Sequence, residues 1–440
     1  MKEKEILSAI NSRLKIAGLN DMQTGVMAAS RTSDNIIILS PTGSGKTLAF
    51  CIPLLCSLKS PNGKVQALII APTRELVTQI ESIIRTIATG YKITACYGGH
   101  NMADEKQSLA VTPDIIVGTP GRLTDHINRK NIDLRTVRYL VLDEFDKSLE
   151  LGFQEEMQKI IRIMPGLTKR ILSSATPIAE IPEFTGIKNV TTLNFLTDNS
   201  LLRERMKMHR VISDSNDKLD SLLNLLNSVE PGATIVFANH RESVERIYEF
   251  LKSKKLPVGI YHGGLDQHER EKSLAMFNNG TYKILITTDL GSRGLDIAEV
   301  YNIIHYHLPS TAETYTHRNG RTARINSSGE IYVITSATEQ IPDYMEFDDT
   351  KETTVNNAAS FKGEKSTLYF SAGKKEKISR GDILGFLVNQ GQTDPAEIGK
   401  IDIKDHYSLV AVPRHKAKET LKRIETQKIK NQKVKISIVQ

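Results

Sequence analysis

The sequence predicts an α/β protein, two tandem parallel-sheet domains followed by a small α+β domain. Short, nearly continuous apolar runs alternate with amphipathic helical stretches through residues 1–342; the rhythm breaks once and restarts, and beyond a second polar break the periods change. A strand covered on both faces must be apolar on both sides, which is what such runs supply. At 440 residues the chain also exceeds the size at which a single hydrophobic core stops growing, so several domains are expected.

The first strands are read at residues 35–39 (Asn35-Ile36-Ile37-Ile38-Leu39), 67–70, 114–117 and 139–142. The polar stretch 197–205 is read as a linker, giving a first domain over 1–196. The series restarts at 234–237, 283–286 and 302–304, giving a second domain over 206–342. Alternating strands and helices of this kind build parallel sheets. A second linker is expected over 343–365, which is rich in Asp, Glu, Thr, Asn and Lys. In residues 366–440 strands are expected at 367–370, 398–403, 407–412 and 434–439, with helices at 380–388 and 415–425. The order β-α-β-β-α-β is ferredoxin-like, an order shared by the RRM type of RNA-binding domain.

Composition excludes several classes. No apolar run approaches the roughly 18 residues that span a bilayer. The N-terminus, MKEKEILSAI, is charged and amphipathic and lacks the features of a secretory signal. Cys51, Cys56 and Cys96 have no metal-ligand or redox spacing, which suits buried thiols in a reducing compartment. A cytoplasmic protein without a membrane partner is expected. From residue 361 onward 17 Lys and Arg stand against 9 Asp and Glu; subtracting this +8 from the chain's +7 leaves −1 for the other 360 residues. A basic tail on a near-neutral body suits a polyanion, although a solvated basic surface gives the same balance.

The strongest local feature is Ser40-Pro41-Thr42-Gly43-Ser44-Gly45-Lys46-Thr47, set between an apolar strand and a helix. That is the context of a phosphate-binding Walker A loop. Gly43 and Gly45 let the backbone curl so that N–H groups face phosphates, Lys46 reaches the β/γ-phosphates, and the Thr47 hydroxyl can hold Mg²⁺. Asp143-Glu144-Phe145-Asp146 follows the strand at 139–142. There Asp143 suits Mg²⁺ and Glu144 suits a general base toward water. Taken alone, such a pair could equally cap a helix.

With these motifs in place, residues 14–336 resemble the DEAD-box RNA helicases of superfamily 2. The resemblance implies two RecA-like domains, ATP with Mg²⁺ as cofactors, and RNA as partner. Gln23 matches the adenine-reading glutamine, though no aromatic stands near Ile6. Pro72, Thr73 and Arg74, then Gly98 and Gly99, then Thr119, Pro120, Gly121 and Arg122 match RNA contacts of the first domain. Ser174-Ala175-Thr176 matches the motif coupling ATP state to RNA, with Ser174 and Thr176 as its hydroxyls. In the second domain Gln267 and Arg270 match a further RNA contact. Thr288, Asp289, Arg293 and Asp296 match the motif that touches both ligands. His317-Arg318-Asn319-Gly320-Arg321-Thr322-Ala323-Arg324 matches the arginine-finger motif. It implies Arg321 and Arg324 at the γ-phosphoryl group, and His317 and Arg318 gripping residues 143–146 or Ser174 as the domains close. Phe145, Asn319 and Ala323 depart from the usual Ala, Ile and Gly, and altered coupling is expected from them.

The tail, residues 366–440, resembles the C-terminal RRM-like domain of the bacterial DbpA group, which finds a hairpin of large-subunit ribosomal RNA. The resemblance implies a ribosome-assembly helicase acting on 23S rRNA as a monomer, with Lys374, Lys375, Lys377 and Arg380 as RNA contacts and Tyr407 as a stacking aromatic. An ATP-controlled RNA clamp with little unwinding, or a general RNA remodeller, fits the same motifs.

Overall fold

A computed structural model describes the chain except residues 42, 100–101, 179, 197–204, 293–296, 298–299, 323–327, 352–360, 362 and 440. Two compact units divide it: the first within Met1–Leu202, the second within Arg203–Arg293 and Ile297–Gln440. The expected linker at 197–205 lies almost wholly outside the described residues.

The first unit is built on a seven-stranded parallel sheet. Its strands are β1 (Asn35–Leu39), β2 (Ala67–Ile70), β3 (Ile93–Cys96), β4 (Ile115–Gly118), β5 (Tyr139–Leu142), β6 (Lys169–Ser174) and β7 (Thr191–Asn194), in the order β3-β4-β2-β5-β6-β1-β7. Both faces of this sheet are cores. Ile36 and Ile38 of β1, with Ala67 and Ile69 of β2, enter one apolar cluster. Ile37, Leu39, Leu68 and Ile70 enter the other. Continuous apolar runs are therefore sorted by the two-residue alternation of the strand into two layers. The crossover helix Arg74–Ile87 buries Leu76, Val77, Ile80, Ile84 and Ile87, a stripe at helical spacing.

The second unit repeats the plan with β8 (Met206–Ser213), β9 (Thr234–Phe237), β10 (Val258–Tyr261), β11 (Ile284–Thr287), β12 (Asn302–His305), β13 (Gly329–Ser336) and β14 (Asp349–Thr350). All pairs are parallel, in the order β10-β11-β9-β12-β13-β8-β14. The segment read as a second linker thus contributes an edge strand. It is pinned by His209 of β8, whose ring nitrogens lie 2.6 Å from Asp349 and 2.6 Å from Glu330.

The tail adds a four-stranded antiparallel sheet to the same unit: β15 (Lys365–Phe370), β16 (Ile401–Ile403), β17 (Ser408–Pro413) and β20 (Ile436–Ile438), in the order β16-β17-β15-β20. The helices Arg380–Asn389 and Ala417–Ile424 complete the expected β-α-β-β-α-β path. A small hairpin, β18 (Lys428–Ile429) and β19 (Gln432–Lys433), is inserted before the last strand.

The tail is seated on the helicase-side helix Gln267–Asn278. Ala275 of that helix packs with Tyr407 and Leu409, flanked by Tyr369 and Val439. Asn279 Nδ2 donates to Thr367 Oγ1 at 2.9 Å, and the Thr281 and Thr367 hydroxyls lie 2.7 Å apart. Gly363 permits this approach, because a Cβ there would fall 2.1 Å from the Gly280 carbonyl oxygen.

Candidate functional site

Parallel sheets gather loops at the carboxyl ends of their strands, and the first unit uses this for its polar centre. Strands β1 and β5 are separated only by β6, so the loops after all three are neighbours. The β1 loop is tied down by Ser40 N donating to the Ser174 carbonyl at 3.0 Å. Gly43 and Gly45 take φ +80° and +91°, the left-handed conformation that closes the curl. Lys46 opens the helix Lys46–Ser57 and is buried, its ammonium donating to the carbonyls of Ser40 (2.6 Å) and Pro41 (2.8 Å). Ser44 donates to the Pro41 carbonyl at 2.8 Å, and Thr47 lies in the first helical turn.

Gln23 is 5% exposed and anchored to this loop. Asn20 and Gln23 form a reciprocal cap of the helix Asp21–Ala29, and Gln23 Nε2 donates to the Gly45 carbonyl at 3.3 Å. A Cβ at Gly45 would stand 2.6 Å from that amide nitrogen, so the two residues fit only as a pair.

After β5, Asp143 is 3% exposed and accepts from the Ser173 hydroxyl. Burial pushes its carboxyl pKa up, while the Ser173 hydrogen bond and Lys46 pull it back only in part. Glu144 has φ +44°, a strained backbone of the kind that clusters at functional sites. It precedes the short helix Phe145–Glu150 and receives no side-chain capping bond, so the capping alternative for this pair does not describe it. Thr176 Oγ1 donates to Asp146 at 2.8 Å and Thr176 N donates to Ser174 Oγ at 3.1 Å, linking the β6 loop to the β5 loop. Phe145 is fully buried, with its ring in the apolar layer 6.4 Å from that of Phe184. The ring extends the core below the carboxylates.

Three further loops meet at the ends of β2, β3 and β4. Thr73 caps the helix Arg74–Ile87. Arg74 packs over Gly99, where φ is +92° and a Cβ would lie 2.2 Å from the guanidinium. Arg122 Nε donates to the Tyr97 carbonyl at 3.1 Å and lies 3.2 Å from Glu105. Glu105 also takes Tyr97 N and His126 Nε2, so Glu105 and His126 form a network that orients Arg122, with Cys96 close by. Gly98, Gly99 and Gly121 are exposed there, Pro72 and Pro120 are buried, and Thr119 is half-buried.

In the second unit an open cleft of about 490 Å³ borders the ends of β9, β10 and β11, lined by Asn239, His240, Arg241, Gly263, Gly264 and Thr288. Of its lining, sequence reasoning named only Thr288 and Asp289. The signal of the others was position alone, immediately after an apolar run. Gln267 and Arg270 begin the helix Gln267–Asn278, which follows β10. Asp289 accepts from Arg318 Nε at 2.6 Å.

Arg318, expected to grip residues 143–146 or Ser174 on domain closure, has its partners here within its own unit. It is fully buried, donates also to His307 O (2.9 Å) and Asn239 Oδ1 (2.8 Å), and lies over the Phe237 ring. Its guanidinium is committed within its own unit, where it ties the β9, β11 and β12 loops together. Asn319 is explained by the same core: its Oδ1 lies 2.8 Å from Nε2 of the fully buried His305. His317 and Arg321 are buried, whereas Thr42, Arg293, Asp296, Ala323 and Arg324 lie outside the described residues.

Tyr407, expected as a stacking aromatic, likewise has partners within the chain. It is 9% exposed, its hydroxyl donates to Glu271 at 2.8 Å, and its ring stacks on Tyr369 beside His268. An aromatic used this way has no free face for a base. Lys374, Lys375, Lys377 and Arg380 are exposed.

Residues 20–184 match the DEAD/DEAH box helicase family, 217–326 the helicase conserved C-terminal domain, and 367–438 the DbpA RNA binding domain. The ATP-dependent RNA helicase DbpA of Escherichia coli is 30% identical over 96% of this chain and 94% of its own. That of Bacillus subtilis is 31% identical over 94% of each. The chain belongs to the DEAD-box ATP-dependent RNA helicases, with a DbpA-type RNA-binding tail. Among solved structures, S. cerevisiae Dbp5 bound to RNA and ADP BeF3 aligns with a TM-score of 0.70 at 27% identity, covering 79% of this chain and 93% of that one. Mss116p bound to ssRNA and AMP-PNP aligns at 0.68 and 28%, covering 76% and 72%. A DEAD-box helicase of this family hydrolyses ATP and works on RNA, and no helix among the described residues is long and apolar enough to cross a membrane.

Proposed function

We propose that this helicase remodels 23S rRNA during assembly of the large ribosomal subunit, acting as a monomer in the cytoplasm. The observation that carries the reading is the DbpA-type tail over residues 367–438, whose surface is lysine-rich away from its seated sheet. Lys374, Lys375, Lys377 and Arg380 project beside the hairpin Lys428–Lys433, and Lys430 Nζ donates to the Lys377 carbonyl at 3.1 Å. Lys428, Lys433 and Lys435 are exposed there too, and Lys430 is paired with Asp382 at 2.8 Å, so one loop and one hairpin offer phosphates a group of cations.

For the chemistry, Lys46 and the N–H groups of residues 43–47 receive the phosphates of ATP, and Gln23 borders the adenine side. Thr47 and Asp143 are hard oxygen donors suited to Mg²⁺, and Asp143 is a buried carboxylate near Lys46. Bound there, Mg²⁺ would neutralise charge on the β- and γ-phosphates. Glu144 orients and deprotonates the attacking water, and Arg321 with Arg324 are the cations we assign to the transferring group. Ser174 and Thr176 report the state of that centre through Asp146. Pro72 to Arg74, Gly98, Gly99, Thr119 to Arg122, Gln267, Arg270, Thr288 and Arg293 contact the RNA backbone, which gives a grip without base readout.

The test compares ATPase stimulation by a large-subunit ribosomal hairpin with stimulation by unstructured RNA, in the full chain and in Lys374→Glu/Lys375→Glu. Preference for the hairpin, reduced at least about tenfold by the charge reversals, supports the ribosomal reading. Equal stimulation by every RNA makes the protein a general remodeller.

A further inference from the structure

The helix Gln267–Asn278 is used on two sides. Gln267 and Arg270 are the proposed RNA contacts, while Ala275 and His268 receive the tail, His268 meeting Tyr407 edge-on at 4.6 Å. Glu271 stands between these uses, one turn beyond Gln267. Gln267 Nε2 donates to Glu271 Oε1 at 2.8 Å. On the opposite oxygen, Tyr407 of the tail donates to Oε2 at 2.8 Å, and the Lys404 ammonium lies 3.5 Å away.

The chemistry of this chain of contacts is directional. A carboxylate only accepts, so it compels the Gln267 amide to turn its nitrogen inward and fixes which end of the amide faces where. Burial raises the Glu271 pKa, but Lys404 and the bonds from Gln267 and Tyr407 outweigh it and hold the group below its ordinary value, in its accepting form. A lone Gln–Glu pair at i, i+4 on a helix surface is too weak to hold one rotamer. Partners on both carboxylate oxygens give Glu271 a single orientation, and Gln267 inherits it.

We propose that Glu271, held by Tyr407 and Lys404 of the tail, is a positioning residue that orients Gln267 toward an RNA phosphate, so that the seated tail sets the helicase core's grip on unstructured RNA. This rests on the reading of Gln267 as an RNA contact. The donor left on an amide nitrogen that already gives one N–H to Glu271 suits a phosphate oxygen, and only a fixed amide offers it without first losing rotamer freedom.

The experiment is a double-mutant cycle in the full chain, pairing Tyr407→Phe with Gln267→Ala. The readout is kcat and the KM for poly-U RNA in the ATPase reaction. Tyr407→Phe keeps the ring packing and removes only the hydroxyl, so the fold should be retained with a loss of only a few degrees in melting temperature. Tyr407→Phe should raise the KM for RNA about fivefold with kcat unaltered, the size of one ordinary net hydrogen bond. Added to Gln267→Ala, it should have no further effect. Effects that multiply, or a Tyr407→Phe protein with an unchanged KM, overturn the proposal while leaving Gln267 as an RNA contact. A Gln267→Ala protein with an unchanged KM overturns both the proposal and the reading beneath it.

Discussion

Acid should loosen the second helicase domain through one buried ring, His305. It is fully buried at the end of β12, bonded to Asn319, and burial with the nearby Arg318 charge pushes its pKa down from 6.5 to about 3. Between those two values the unfolded chain binds a proton that the folded chain refuses, so stability rises with pH across the window and is complete above about 6.5. At pH 5 the unfolded state gains from this group about 2 kcal/mol, a factor of roughly thirty, relative to neutral pH. The variant His305→Gln keeps a nitrogen donor for Asn319 and removes the titration. Because the chain has no Trp, amide hydrogen exchange in β9 and β12 is the assay. Protection in the parent protein should fall about thirtyfold more than in His305→Gln between pH 7.5 and pH 5. Parallel pH profiles for the two proteins would refute the reasoning.

Two other substitutions follow from the same cores. Phe145→Ala, which restores the residue usual in the family, should cost about 3–5 kcal/mol of first-domain stability, because the ring is fully buried beside Phe184. Denaturant melts should show that loss, and RNA-stimulated turnover in the fraction still folded should change as well, since altered coupling is expected of this residue. Unchanged turnover would discard that expectation and leave a packing role alone. Arg318→Lys keeps the charge yet can satisfy at most part of the set Asp289, His307 O and Asn239. We expect a loss of about 2–4 kcal/mol in the second domain, read by exchange of β11 and β12 amides. A wild-type exchange pattern would contradict that.

Strands β1, β2, β4 and β5 of the first sheet were legible because they are buried on both faces, so Asn35-Ile36-Ile37-Ile38-Leu39 announces itself without any partner. The edge strand β7 alternates half-buried and exposed residues and gave no such run. The phosphate loop was legible because its chemistry is local: glycines, a lysine and a hydroxyl within eight positions of one another. Strand β14 was not legible, since Asp349–Thr350 is two exposed polar residues held by His209 from far along the chain. The β18–β19 hairpin offered only its turn, where Lys430 and Asn431 both take positive φ, the geometry of a two-residue hairpin loop. Tyr407 and Arg318 have partners within the chain that the sequence did not show, for one reason. A sequence shows that an aromatic or a cation is present, but not whether its partner is a ligand or another segment of the same chain. Asn319 likewise looked like a departure from its family until His305, fourteen residues upstream, appeared opposite it.

The seating of the tail carries a lesson for anyone dividing this protein into portable modules. Tyr369, Tyr407, Leu409 and Val439 form an apolar patch covered by Ala275 of the preceding domain. A tail cut free at residue 365 would carry that patch into solvent, inviting self-association that could pass for cooperative RNA binding. A graft onto a foreign helicase core would have to bring along the matching helix surface, with Glu271 and Asn279. The unit of exchange is therefore larger than the sequence boundary suggests, and a chimera built at that boundary would test a mismatched joint instead of RNA specificity.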